Sequence, residues 1–568
     1  MSEIDLEQRR KALAELLHEQ WEYNLRTTPE FASTIGDRRY NDRMNDVSEE
    51  AVLADLKKKK KFLARFQAID TAGFPVQERL NRDLMIENLT DAIEGAEFKP
   101  WQMPVNQMSG FHIDAAQLVA LIPFATVKDY DDYIARLGRF PKVLADTTAN
   151  MRKGMAARLM QPKFILKLVA EQAAEIAEAS PEKSPFAEPL EKLPDEFSGD
   201  DKQRIREAVH ERIANAVNPA YAKFAAFVRD EYAPQGRDKA GVGSLPDGEA
   251  RYRFHVKNQT TTDLTAEEIH QIGLREVARI ESEMLVIANK LGFADLRSLN
   301  AAVEVNPDLK AKSGQDIIDS YQRFTDQMYA RLPQLFGRLP KAKMVIEPTP
   351  AFAEASASAA EYNTGSPDGS RPGLVYVNTY QATSRKTITN ESTAYHEGVP
   401  GHHMQLSIQQ EMEDLPPFRR HGGENSFVEG WALYSERLGK DAGFFQDPYS
   451  DYGRLNDEML RAIRLVVDTG LHAKQWTREE VVQYFRDHSA LDEVEIQSET
   501  DRYIAWPGQA LSYKIGQLTI LRLRERAQQE LGASFDIRAF HDEVLGAGAL
   551  PMKLLEERIE SWIAREKE

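Results

Sequence analysis

The sequence predicts a mainly α-helical protein with one small β-sheet. Three observations predict it: apolar residues recur three and four apart over long stretches, strand-like runs are confined to one segment, and helical spacing resumes from about residue 387 to the end. Residues 5–25, 46–70, 132–160 and 200–232 carry the helical spacing, with charges between the apolar positions. The basic run Lys57 to Lys61 falls inside such a stretch. Val52, Leu56, Leu63 and Phe66 keep roughly helical spacing around it, so it reads as a solvated helix face.

Two breaks organise the chain. Residues near 178–201 are rich in Pro, Glu, Ser and Asp and read as an exposed linker or long loop. Ala233 to Glu249 is rich in Gly, Pro and Asp, and divides an N-terminal helical region, 1–248, from a second region, 249–568, that carries the chemistry. Thr265 with Glu268 forms a capping-box pattern that opens a long helix. The strand-like runs lie near 343–380: Lys343 to Glu347, and Gly373 to Asn378, rich in β-branched and aromatic residues. An Ala/Ser/Gly-rich segment with Tyr362, Asp368, Gly369 and Arg371 separates them. No fixed-period repeat is present.

With 568 residues the chain has room for two or three packed regions, and 42% apolar with 29% charged residues is an ordinary globular balance. A formal charge of −18 repels phosphate backbones and anionic lipid, which makes nucleic acid and membrane poor partners. Cysteine is absent, which removes disulfides, thiolate ligands and cysteine nucleophiles. The first ten residues lack a basic start and an apolar core, and the longest strongly apolar stretch, Leu118 to Val127, is too short to span a bilayer. The expectation is a soluble cytoplasmic protein of unknown oligomeric state.

The chemistry concentrates in Tyr395-His396-Glu397-Gly398-Val399-Pro400-Gly401-His402-His403-Met404-Gln405. Neutral imidazoles bind Zn²⁺, and a carboxylate next to a ligand takes a proton from the water that the metal activates. The usual helical arrangement spaces the two histidines four apart. Here the later histidines follow His396 by six and seven residues, with a proline between. On a straight helix His402 would point about 120° away and His403 would sit about 10.5 Å along the axis. A deformation is therefore required, and Gly398, Pro400 and Gly401 supply the means. Spacing leaves His402 against His403 open.

A carboxylate completes a common catalytic set of two His and one Glu. Glu429, in Ser426-Phe427-Val428-Glu429-Gly430-Trp431-Ala432, stands on an apolar helical run and needs a partner there. Glu436 is the rival ligand, or the carboxylate that holds a histidine's other nitrogen.

These residues resemble a bacterial domain-of-unknown-function family grouped with zinc peptidases, whose signature is HExxPGHxxQ followed by EGWA. The resemblance extends to Thr260 through Thr265, Asp368 through Gly373, Asp468 through His472 and Pro507 through Tyr513. It implies an elongated, largely helical metallopeptidase related to thimet-oligopeptidase and Taq-carboxypeptidase types, with a central cleft and a small sheet beside the active site. It also favours His402, the histidine directly after Pro-Gly, as the second ligand.

The metal set expected is thus His396, His402 and Glu429, with Glu397 as general base and later proton donor. Oxyanion donors are sought in His472, Tyr503 and Tyr513. Arg371 and Arg502 are candidates to pair with a substrate carboxylate, and Gly373 to Asn378, with Tyr376, reads as an edge strand that pairs with an extended peptide. The function these imply is zinc-dependent hydrolysis of amide bonds in short peptides by a carboxypeptidase- or oligopeptidase-like enzyme. Hydrolysis of non-peptide amides or esters, or a catalytically inactive helical binding protein, are the alternatives; the intact Glu397 weighs against the last. GxSxG, GxxxxGK[ST] and GxGxxG patterns are absent. Ser180-Pro181-Glu182-Lys183 lies in the charged linker and reads as chance, and His112, His421 and His488 are isolated.

Overall fold

The computed structural model describes residues 3–350, 354, 357–366 and 371–568. The chain divides into two compact units, Met1–Arg251 and Tyr252–Glu568. Both are mainly helical, and a three-stranded sheet lies in the second.

The first unit is all helix among its described residues. Helix Glu49–Gln67 takes up the lysine run as its outer surface, with Phe62 and Phe66 turned inward. Helices Val127–Leu137, Phe140–Ala156, Lys163–Glu178 and Gly199–Arg212 surround a core that includes Tyr130, Leu166, Ile205 and Tyr221. The expectation of an exposed linker near 178–201 is corrected here. Pro185–Leu190 forms a short 3₁₀ turn that drives Phe186 fully into that core, so an apolar pair inside a polar composition decides the local structure.

In the second unit the long helices pair closely. Helix Ala266–Lys290 begins with the capping box of Thr265 and Glu268 and packs along helix Pro448–Ala473. Helix Asn425–Asp441 packs along helix Leu511–Leu531 through two glycines. A Cβ on Gly430 would lie 2.5 Å from Gly516 Cα, so only glycine permits this approach. The pairing sets the backbone beside Glu429.

The sheet has the order β1 (Met344–Pro348), β3 (Gly373–Val377), β2 (Ala360–Asn363). β1 pairs parallel to β3 with Met344 opposite Gly373, and β2 pairs antiparallel with Ala360 opposite Val377. The edge-strand expectation for Gly373 to Asn378 is therefore wrong: β3 is central, with both edges occupied. β2 forms inside the Ala/Ser/Gly-rich segment, where a strand was not expected. Asp368, Gly369 and Ser370 of that segment lie outside the described residues. One sheet face, through Ile346, Ala360, Val375 and Val377, packs on Ile317 and Tyr321 and on Ala394. This contact seats the sheet against the helix that carries His396.

Candidate metal centre

Helix Asn390–Glu397 stops because its next turn contains Gly398 and Pro400. Gly398 leaves the helical region at φ −93°, ψ −121°, the Val399–Pro400 peptide is cis, and Gly401 lies at φ −78°, ψ −128°. A second helix, His402–Gln410, then starts in a new direction. His403 N–H donates to Gly398 O at 3.1 Å, and Trp431 Nε1 donates to the Pro400 carbonyl at 2.8 Å. A Cβ on Gly401 would fall 1.9 Å from His396 O, so the tight return depends on glycine there.

This turn brings His402 back to His396. Their rings meet at right angles with centroids 4.9 Å apart. Glu429 Oε2 lies 3.7 Å from His396 Nε2 and 3.6 Å from His402 Nε2, and one ligand atom of each residue falls within 4.8 Å of the others. Tetrahedral ligands about 2.0–2.1 Å from zinc stand about 3.3–3.4 Å apart, whereas octahedral neighbours at similar bond length stand about 3.0 Å apart. The observed spacings are nearer the four-coordinate set. A metal held by these three side chains would keep a fourth position open.

The surroundings favour positive charge. Glu436, 3% exposed at its side chain, accepts from His396 Nδ1 at 2.7 Å. That bond fixes the tautomer and turns Nε2 towards Glu429. Burial lowers the proton affinity of His396, but hydrogen bonds to Glu429 and Glu436 outweigh it and push its pKa up to about 10. Glu429 is held well below the usual carboxylate range against its own burial, by the two imidazoles. Glu397 is raised by burial, against the pull of His402 and His396. Its carboxylate makes no hydrogen bond to any described residue. His403 is turned elsewhere: its Nδ1 lies 3.0 Å from the Tyr362 hydroxyl, and burial lowers its pKa to about 4.

The remaining expected residues fall in several places. Tyr503 is 1% exposed, donates its hydroxyl to Glu499 and accepts from Arg464 Nε at 3.2 Å. Its one O–H is thus spent, which corrects its candidacy as an oxyanion donor. His472 is buried with Nε2 on the Tyr503 carbonyl at 3.0 Å and its ring against Tyr252, so it too is committed to packing. Tyr513 differs. Its oxygen accepts from Arg502 Nη2 at 3.2 Å and the Arg464 guanidinium lies 4.6 Å from its ring centroid, but its own O–H is given to no described residue. Arg502 also donates to Gln509 Oε1 at 3.0 Å. Arg371 is exposed, with its backbone N–H on Ser366 Oγ at 2.8 Å. Tyr376, half-buried in central β3, pairs in register with Glu347 and Glu361.

Sequence reasoning named Asp468 and His472 of helix Pro448–Ala473 but missed Asp457, Arg461 and Arg464. Asp457 takes the Ser392 hydroxyl, one turn before His396, and Arg461 Nη1 lies 3.5 Å from Asp457 Oδ1. Arg464 pairs with Glu499 at 2.8 Å. The available signal was the spacing of Arg461 and Arg464, about one turn apart beside the apolar positions Leu460, Ile463, Leu465 and Val466.

Fold and site together define a mainly helical protein with a largely buried His-His-Glu cluster at a broken helix. The chain belongs to the family described as bacterial proteins of unknown function (DUF885), whose pattern matches residues 29–559. A crystal structure of a candidate lipoprotein from Colwellia psychrerythraea is similar at 28% identity and TM-score 0.92, covering 98% of this chain and 99% of that one. A candidate lipoprotein of unknown function from Shewanella oneidensis shares the fold at 19% identity and TM-score 0.76, over 96% and 99%. None of the curated proteins matches the chain in sequence.

Proposed function

We propose that this protein is a zinc-dependent peptidase of the zincin type that hydrolyses amide bonds in short peptides. The observation that carries the proposal is the convergence of His396, His402 and Glu429 beside a carboxylate, Glu397, that makes no hydrogen bond to any described residue. A structural zinc site needs no such base. When bound, zinc acidifies water and polarises the carbonyl under attack.

The protein groups supply the rest. Glu397 takes the proton that the attacking water loses and delivers it to the departing nitrogen as the C–N bond breaks, giving a carboxylic acid and an amine. Tyr513, whose hydroxyl hydrogen goes to no described residue, is the proposed donor to the oxyanion, and Arg502 holds its oxygen in place. Peptides are the proposed partners, and the cytoplasm is the proposed compartment, which cell fractionation checks.

The test pairs elemental analysis with digestion of a mixed peptide library. The protein is expected to carry about one zinc and to lose activity on chelation. Glu397→Gln should keep its zinc and lose turnover by several orders of magnitude. Undiminished turnover in that variant would remove Glu397 from the reaction.

A further inference from the structure

Arg461 and Arg464 lie one turn apart on helix Pro448–Ala473, and Arg502 reaches the same region from helix Glu493–Ala505. Arg464 is 4% exposed, bonded to Glu499 and stacked on Tyr513, with its Nη1 bonded to no described residue. Arg502 gives Nη2 to Gln509 and Tyr513, while its Nη1 reaches Glu499 only at 3.7 Å. Arg461 gives Nη1 to the Asp457 carbonyl at 3.1 Å and its Nη2 to no described residue. The side chains of Arg461 and Arg502 are 16% and 22% exposed.

The cluster adjoins the metal centre. Asp457 joins Arg461 to Ser392 on the His396 helix. Arg461 also interacts electrostatically with Glu397 and Glu436 on one side and with Tyr513 and Arg464 on the other. Three guanidiniums thus face four carboxylates, Asp457, Glu499, Glu397 and Glu436, but Arg461 Nη2 and Arg502 Nη1 meet none of them within hydrogen-bond distance among the described residues, and these two outer donors are left to an anion from outside. A guanidinium edge matches a carboxylate in shape and charge.

We propose that Arg461 and Arg502 form a subsite for the free C-terminal carboxylate of a peptide, so that the enzyme removes residues from carboxyl ends. This rests on the peptidase reading above and selects its substrate class. A peptide held there by its terminus presents its last amide to the centre, near the Tyr513 hydroxyl.

Binding of an N-acetylated dipeptide and of its C-terminal amide is measured by calorimetry on the purified protein. The free acid should bind at least about tenfold more tightly, and Arg461→Gln and Arg502→Gln should each reduce that preference below about threefold. Arg461→Lys, which keeps the charge and loses the fork, should fall between and serves if the glutamine variant does not fold. His402→Ala, which removes a metal ligand, should keep the preference. Equal binding of acid and amide, survival of the preference in both glutamine variants, or its loss in His402→Ala would each overturn the subsite. A parallel digest separates this from the peptidase reading. Equal cleavage of acid and amide sinks carboxyl-end selection and leaves the peptidase, whereas cleavage of neither, with the binding preference intact, sinks the peptidase and leaves the subsite.

Discussion

Replacing Glu436 by glutamine removes one charge and keeps the size of the side chain, so the packing around it is retained. In the native protein its carboxylate accepts from His396 Nδ1 at 2.7 Å, with both side chains nearly buried at 3% and 6% exposure. The imidazole and the bonds flanking it span on the order of 6 Å, and a divalent ion beside Glu429 carries about one net positive charge. At an effective dielectric of about 20, the interaction across that span is about 2.5–3 kcal/mol. Loss of an orienting carboxylate behind a ligating histidine typically costs about 10–100-fold in metal affinity, about 1.4–2.7 kcal/mol. The two routes agree, so Glu436→Gln should bind zinc about 10–100-fold more weakly. Competition with a chromophoric chelator at fixed pH measures the affinity, and circular dichroism confirms the fold. An affinity within twofold of the native protein would refute the orienting role, and a loss as large as that from His402→Ala would make Glu436 a ligand itself.

Gly401→Ala would place a Cβ 1.9 Å from His396 O, and should cost more than about 2 kcal/mol of stability and reduce zinc content, read by denaturant unfolding and elemental analysis. Trp431→Phe orphans the Pro400 carbonyl in the same turn and should cost about 1–3 kcal/mol, measured the same way; an unchanged midpoint would show that the turn does not need that bond. Asp468, which accepts from the Tyr252 hydroxyl at 2.5 Å and from Gly508 N–H, is pushed up to about 7, chiefly by burial. Its folded pKa exceeds its unfolded one, so its contribution is fully present below about pH 4 and is lost as pH rises towards 7. Asp468→Asn should therefore gain stability relative to the native protein between pH 4 and 7 and level off above, by a few kcal/mol at most. A difference that stays flat across melting curves in that range would contradict the burial argument.

What could be read from the sequence was what is local. The capping box at Thr265, the lysine-run helix and the two strands β1 and β3 all follow from patterns within a few residues. That a later histidine returns to His396 was legible because Gly398, Pro400 and Gly401 announce a broken helix; the spacing did not choose between His402 and His403, and the resemblance did. What was not legible depends on remote partners. β3 is central because β2 forms inside a segment whose small residues carry no strand signal. Phe186 is buried because helices from elsewhere in the first unit close over it, against the polar composition around it. Tyr503 and Tyr513 sit in similar company in the sequence, and only the placement of Glu499 decides which hydroxyl is consumed. Helix Pro448–Ala473 hides its chemistry most thoroughly, since the partners that decide the roles of Arg464, Glu458 and Asp468 include Glu499, Lys514 and Tyr252 from other helices.

Zinc titration of the native protein beside His402→Ala and His403→Ala tests the broken-helix centre most directly. The expected result is uptake of about one equivalent by the native chain and by His403→Ala, with severe loss in His402→Ala. No uptake by the native chain, or equal uptake by the His402 variant, would contradict it.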